Sequence, residues 1–321
     1  MLDLVALGEL LIDFSPTGLS LTGNQLFEQN PGGAPANVLA ALAKLGKECA
    51  FIGVVGDDRF GIFLKEVLQQ CGVGISGLKY SKTASTTLAF VHLNPDGDRS
   101  FSFYRNPGAD QLLTADDLDY DLLKQARIFH FGSISMTDEP ARSTTLAAVK
   151  FAKQQNSLIS YDPNYRPLLW PNEELAIKRM KAGLEYADIV KVSEEELELL
   201  TGTKDLSQGS TFLYEMGISV ILVTLGPAGC FYRYRGGAGR VAGFNVQTID
   251  TTGAGDAFLA GVLYQFSDLS LREISELNEN QFQKTVRFAN AMGALTTTKK
   301  GAIPALPHLE AIKRLINGLE F

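Results

Sequence analysis

Short apolar runs recur along this chain, at 4–12, 49–56, 127–134, 158–164, 188–192 and 219–226, and stretches of helical length fill most of the gaps between them. Runs of this length, bounded by turn residues, read as strands buried on both faces. Buried strands that alternate with helices build a parallel sheet covered on each side. The rhythm therefore predicts an α/β fold, a doubly wound, mainly parallel sheet flanked by helices, with ligands gathered at the carboxyl ends of the strands. Helices are expected near 36–45, 59–70, 115–125 (from a Thr114/Asp117 capping box), 138–155, 173–185, 287–302 and 307–318, and antiparallel edge strands at CFYRYR and GFNVQTI.

One region breaks the rhythm. STTLAFVHL and SFSFYR alternate like strands around Asn94-Pro95-Asp96-Gly97-Asp98, a hairpin with no helix partner. With the polar stretch 15–30 it is expected to form a small separate sheet, a β lid of roughly 15–30 and 85–108 on a single domain spanning 1–321. Arg105 ends the hairpin, and most arginines in such a place are solvated.

The stretch with the most chemical content is DTTGAGDAFLAG, Asp250 to Gly261. Gly253 and Gly255 allow a tight turn free of side chains, and an apolar helix to about Phe266 follows. The first N–H groups of that helix have no partners within it, and the helix dipole adds positive charge, so an anion such as phosphate binds there. Asp256 stands beside that seat, placed to take the proton of a hydroxyl attacking phosphorus. The dipole is expected to hold its pKa down. A glycine turn before a helix is common on its own, and the whole string is what points to chemistry. A second glycine turn, NPGGAPANVLAALAKLG, places Gly32, Gly33 and Asn37 at the mouth of another helix, where a small polar ligand fits. Asp13, just past the first apolar run, and Arg166, past the run 158–164, also fall at strand carboxyl ends, and Glu194, Glu195, Glu196 and Glu198 crowd one helix start where one could reach a hydrated Mg²⁺. Gly72, Gly74 and Gly77 match GxGxxG but follow a helix, so they end it and bind no dinucleotide.

Composition narrows the classes. A net charge of −7 argues against a nucleic acid held through its phosphates. Cys49, Cys71 and Cys230 fit no zinc or CxxC spacing and read as free thiols in a reducing compartment. His92, His130 and His308 are too scattered for a triad or metal cluster, and His130 reads as a core strand residue. The N-terminus carries Asp3, Glu9 and Asp13 and no basic leader, and no run is long enough to span a membrane, so the cytoplasm is the expected location.

GELLIDF, NPGGAPANVLAALAKLG, FIGVVGDDRFG, TLGPAG and DTTGAGDAF, in this order, resemble the ribokinase-like (PfkB) carbohydrate kinases over nearly the whole chain, and FYRNPGAD and YDPNYRPLLWP look like the fructokinases in particular. The resemblance implies transfer of the γ-phosphoryl group of ATP to a primary sugar hydroxyl, most like fructose to fructose 6-phosphate. It implies Asp256 as the base and Gly253, Ala254 and Gly255 as the anion hole. Sugar contacts would come from Asp13, Gly32, Gly33 and Asn37, with Arg105 closing over them from the lid and Arg166 near sugar or phosphates. Thr224, Gly226, Gly229 and Asn290 would meet the nucleotide, and Glu196 the Mg²⁺ through water, with Ser193 standing where the family often has Asn. Asp250, Thr252, Thr296 and Gly301 would surround a K⁺ ion, Ala305 replacing a serine found in some members. No GxxxxGK[ST] occurs, so helix N–H groups and cations must meet the phosphates. Two alternatives stand beside this reading: a 2-keto-3-deoxygluconate kinase whose Arg105 and Arg166 grip a carboxylate, and a catalytically silent sugar- or nucleotide-binding regulator. The open edge of the lid sheet suggests a lid-to-lid homodimer.

Overall fold

The apolar run 4–12 is two strands in two sheets. In the computed structural model, which describes residues 1–93 and 99–319, β1 (Leu2–Leu7) enters a large sheet and β2 (Leu11–Leu19) begins a small one. The corner between them turns at Gly8, where a Cβ would stand 2.5 Å from the Pro35 ring. Asp13 accordingly lies within β2, paired with Asn30, and not just beyond a strand of the main sheet.

The chain continues through β3 (Gln25–Gly32), α1 (Ala34–Lys44), β4 (Cys49–Gly56), α2 (Arg59–Gln70), β5 (Gly74–Ser81), β6 (Leu88–Leu93) and β7 (Arg99–Tyr104). Then come α3 (Tyr120–Lys124), β8 (Ala126–Gly132), α4 (Ala141–Gln154), β9 (Leu158–Asp162), α5 (Glu173–Leu184), β10 (Ile189–Ser193), α6 (Glu194–Thr201) and α7 (Leu206–Glu215). The last part holds β11 (Val220–Thr224), β12 (Cys230–Tyr234), β13 (Gly237–Val241), α8 (Ala254–Phe266), α9 (Leu271–Glu276), α10 (Glu279–Thr296) and α11 (Leu309–Ile316).

The large sheet has the order β13-β12-β11-β10-β9-β8-β1-β4-β5, parallel from β5 to β11, with β12 and β13 antiparallel at one edge. Sequence order runs one way from β1 through β4 and the other through β8, so the crevice above β1 is the switch point at which such sheets bind ligands. Alternate residues feed opposite faces: Leu4 and Ala6 join a core with α1, α8 and α10, while Val5 and Leu7 join one with α4 and α5. α8 packs against both α1 and α10, and is buried nearly all round. Gly261 permits the close approach, since a Cβ there would stand 2.8 Å from Ala289 Cα.

The small sheet has the order β3-β2-β6-β7 and carries Phe14, Phe27, Phe90 and Tyr104, with Phe14 and Phe90 stacked at 4.7 Å. The expected hairpin is present as β6 and β7, its turn at 94–98 lying outside the described residues.

Three local expectations fail for physical reasons. Thr114 and Asp117 form their capping box, but over a single 3₁₀ turn, and Asp119 starts a new helix at Tyr120 because the chain must first bury Leu118. GFNVQTI is not a strand: the tight Arg235-Gly236 turn pairs Gly237–Val241 with β12 at once and leaves 243–249 as irregular chain. α10 begins at Glu279, eight residues before Arg287, on an Asn278/Gln281 capping box. Among the described residues no helix is long and apolar enough to cross a membrane.

Candidate active site

The N-terminus of α8 is bare. Gly253 caps it in the left-handed region at φ +74°, with no side-chain cap, and a Cβ there would stand 2.6 Å from Ala302 Cβ. Ala254 N–H donates to Thr251 O, whereas the N–H groups of Gly255 and Asp256 meet no acceptor among the described residues. Residues 253–255 are partly open to solvent, so the amides are accessible to an anion.

Asp256, one turn in, is buried, and its Oδ2 accepts a hydrogen bond of 2.8 Å from Asn37 Nδ2 in the first turn of α1. Two glycine turns 219 residues apart thus meet on one carboxylate. Asn164 Nδ2 faces Oδ1 at 3.5 Å, and Asn164 holds a left-handed φ of +49°, the kind of strain that concentrates at functional sites. With both amide nitrogens toward Asp256, the amide oxygens of Asn37 and Asn164 are left buried and unpartnered. Two orphan acceptors beside a carboxylate suit a ligand that brings hydroxyl donors. The expected depression of the Asp256 pKa is reversed. Burial pushes it up, because loss of water outweighs the Asn37 hydrogen bond and the nearby charges of Lys191 and Arg166.

Asp13 joins this side. Its carboxylate lies so close to Gly32 that a Cβ on Gly32 would collide with it, and burial pushes its pKa up to about 7, with Arg166 opposing and Asp256 adding to the rise. Gly33, at φ +114°, leaves room for Glu9 O. Glu9 escaped the sequence reading: it is buried, its Oε1 accepts the Ala34 N–H at 2.9 Å where α1 has no cap of its own, and Oε2 is unpartnered. Burial pushes the Glu9 carboxyl up to about 7 from an ordinary 4.5. The folded state therefore holds the extra proton between those values, and stability from this group is full below pH 4.5 and lost as pH rises toward 7. Glu9→Gln should match the wild-type melting temperature at pH 5 and exceed it at pH 8. Parallel melting curves across that range would contradict the assignment.

Arg105 is neither exposed nor free. Its side chain is 4% exposed, pairs with Asp110 at 2.7 Å, and donates to Thr137 Oγ1 and Ile134 O, fastening the end of β7 to the main body. The guanidinium is thus spent on protein acceptors and no contact brings it to Asp256. Arg166 remains exposed, with its charge felt by Asp13 and Asp256.

On the other side of the α8 mouth lies a cavity of about 650 Å³. Thr224, Gly226, Gly229 and Asn290 line it together with Ala254 and Gly255 of the turn. Asn290 donates to Val241 O and Ala242 O, holding the irregular 242–248 segment as a wall, and Arg287 stacks over Phe244 in that wall at 4.9 Å. Ser193 is outside this lining, occupied as the N-cap of α6.

The expected cation ligands divide. Asp250 accepts from Thr252 and, at 2.9 Å, from Gly301 N, so these three residues converge. The Thr296 hydroxyl donates to Met292 O, and next to it the Thr297 carbonyl accepts the N–H groups of Ile249 and Asp250, which brings this end of α10 to the turn. Glu196 is buried, with one oxygen accepting from Ser193 N and the other from Tyr165 N. Beneath the turn, Lys191 and Asp162 form a buried ion pair of 2.9 Å. Sequence reasoning missed both; the signal for Lys191 was a charge between two valines in the run DIVKV.

The chain belongs to the pfkB family of carbohydrate kinases, which it matches over residues 1–309. It is 48% identical over 316 residues to Fructokinase-1 of Zea mays, covering 97% of each chain, and 46% identical over 319 residues to Probable fructokinase-7 of Arabidopsis thaliana, covering 98% of this chain and 92% of that one. Among solved structures it is similar to the fructokinase of Xylella fastidiosa with bound ATP (TM-score 0.91, 38% identity, 99% of both chains). It is also similar to a double mutant of the Vibrio cholerae O395 fructokinase bound to fructose, ADP and potassium ion (TM-score 0.88, 35% identity, 98% of both).

Proposed function

We propose that this chain is an ATP-dependent fructokinase that converts fructose to fructose 6-phosphate. The observation that carries the reading is one helix mouth shared by two compartments: the Asp256 carboxylate with two unpartnered amide oxygens on one side and a nucleotide-sized cavity on the other. Asp13, Gly32, Gly33, Asn37 and Arg166 surround the sugar, and Thr224, Gly226, Gly229 and Asn290 the nucleotide. The sugar's primary hydroxyl attacks the γ-phosphorus, its O–P bond forms as the bond to the β,γ-bridging oxygen breaks, the proton passes to Asp256, and ADP leaves. The turn shaped by Gly253, Ala254 and Gly255 holds the migrating group, with the free amides of Gly255 and Asp256 aimed at it. The raised pKa of Asp256 makes it the stronger base, and its ionised form is the active one, so the rate falls as pH drops through that pKa.

Among the described residues no three carboxylate, histidine or cysteine side chains converge as a metal cage. A Mg²⁺ ion therefore fits as one carried on the triphosphate, with the buried Glu196 holding it through water, and when bound it offsets phosphate charge. The convergence of Asp250, Thr252 and Gly301, with the end of α10 at Thr296 and Thr297 beside them, supports a K⁺ site behind the turn. The small sheet acts as the lid over the sugar, and its aromatic face and open edge make a lid-to-lid homodimer the favoured assembly. Three cysteines without disulfides support a cytoplasmic location. The 2-keto-3-deoxygluconate reading loses its carboxylate clamp, since Arg105 is already paired to Asp110.

A panel of fructose, ribose, 2-keto-3-deoxygluconate and nucleosides, read as sugar-dependent ADP release, tests the reading. Fructose should be the preferred acceptor. A clear preference for the acid would replace fructose, and sugar binding by calorimetry with no ADP release would make the chain a silent regulator.

A further inference from the structure

Lys191 is an expensive residue for its place. It lies in β10 between Val190 and Val192, both wholly buried, and its own side chain is 9% exposed. Buried lysine loses the hydration of its ammonium, and a buried ion pair seldom adds net stability over an apolar pair of the same volume. The energetic gain must be sought elsewhere, and its position says where. Asp162, at the end of β9 and 2% exposed, tethers Nζ at 2.9 Å. The same Nζ stands 3.1 Å from where a Cβ on Gly255 would be, immediately beside the middle of the anion-binding turn. A Cβ at Gly255 would crowd the ammonium and shift it by a few tenths of an ångström. Burial works against the charged ammonium, but the carboxylates of Asp162 and Glu196 outweigh it and hold Lys191 protonated, with Asp256 adding to the effect.

We propose that Lys191, tethered by Asp162, is an electrostatic positioning residue for phosphoryl transfer: its fixed charge beside Gly255 reinforces the amides of the turn as charge gathers on the migrating group. The proposal rests on the kinase reading and adds to it a cation supplied by the protein itself. Asp256 is faced by Asn37 from α1, Asn164 and Arg166 from the loop after β9, Asp162 from β9, Lys191 from β10 and Asp13 from β2. Burial raises its pKa most and Asp162 adds to the rise, while the Asn37 hydrogen bond, Lys191 and Arg166 lower it.

The test compares Lys191→Met, Lys191→Arg and Asp162→Asn in the full chain, with kcat, both KM values and the pH profile of kcat/KM. Lys191→Met should lower kcat about 100-fold, the scale for losing one preorganised donor at a developing charge. Its KM for fructose and ATP should stay within about threefold, and the acidic limb of the profile should move to higher pH because Asp256 has lost a cation. Lys191→Arg, which keeps the charge, should recover about tenfold of that loss. Asp162→Asn should also lower kcat, but move the limb to lower pH. A merely structural pair would lower the melting temperature and leave the limb where it was, and that result, or an unchanged kcat in Lys191→Met, overturns the proposal. Should Lys191→Met fail to fold, Asp162→Asn carries the test, and wild-type kcat with an unmoved limb overturns it. A wild-type enzyme that releases no ADP with any sugar defeats the kinase reading instead, and is seen before any variant is compared.

Discussion

Asp256→Asn is expected to lower kcat with fructose about 1,000-fold, within the usual span for loss of a positioned base. The substitution removes basicity and little else. An asparagine oxygen still accepts the Asn37 hydrogen bond that joins α1 to α8, so the two glycine turns stay together. The new amide would face Asn164 Nδ2, and a flip of the Asn164 side chain presents its unpartnered oxygen instead. Neutralising a buried carboxyl that burial already disfavours should raise the melting temperature at pH 7 and above. Steady-state kinetics beside fructose titration calorimetry separates the effects. Retained binding with lost turnover supports the role, whereas a variant within tenfold of wild type would remove Asp256 from the chemistry.

Gly253→Ala is expected to cost at least 100-fold in kcat through the other half of the site. The alanine must adopt φ +74°, which costs about 1 kcal/mol or more for a residue with a Cβ. That Cβ would also sit 2.6 Å from Ala302 Cβ, so the turn must lift away from the segment whose Gly301 N–H is held by Asp250. The chain should still fold, because the strain is confined to one exposed turn, but the amides of Gly255 and Asp256 would no longer aim at the same point. Most of the cavity wall, Thr224 and Asn290 included, lies on other elements, so under the proposed reading the KM for ATP should change less than kcat. A parallel rise in that KM with kcat preserved would mean that the turn serves nucleotide binding and not transfer.

What was legible in the sequence was what local pattern controls. β4, α2 and the end of α8 fall where apolar spacing and glycine stops put them, and the pairing of the hairpin follows from alternation. Asn37 and Asp256 stood out because each follows a glycine turn at a helix start. What was hidden depends on elements distant in the chain. Glu9 reaches Ala34, and Lys191 reaches Asp162 and the space beside Gly255, only once strands are ordered in the sheet. Arg105 reads as a solvated strand end until Asp110 folds back beneath it. The pKa of Asp256 is raised chiefly by burial, which local sequence does not show, against a hydrogen bond from the distant Asn37. The single run 4–12 hid a change of sheet because both strands are apolar and the corner residue is one glycine.

The most direct test of the account is a crystal structure of the chain with ADP, aluminium fluoride and fructose. The account predicts the planar fluoride group seated on the Gly255 and Asp256 amides, with the primary hydroxyl of fructose in line and within hydrogen-bond reach of an Asp256 carboxylate oxygen. A fluoride group held away from this turn, or a fructose whose primary hydroxyl points at some other side chain, would contradict it.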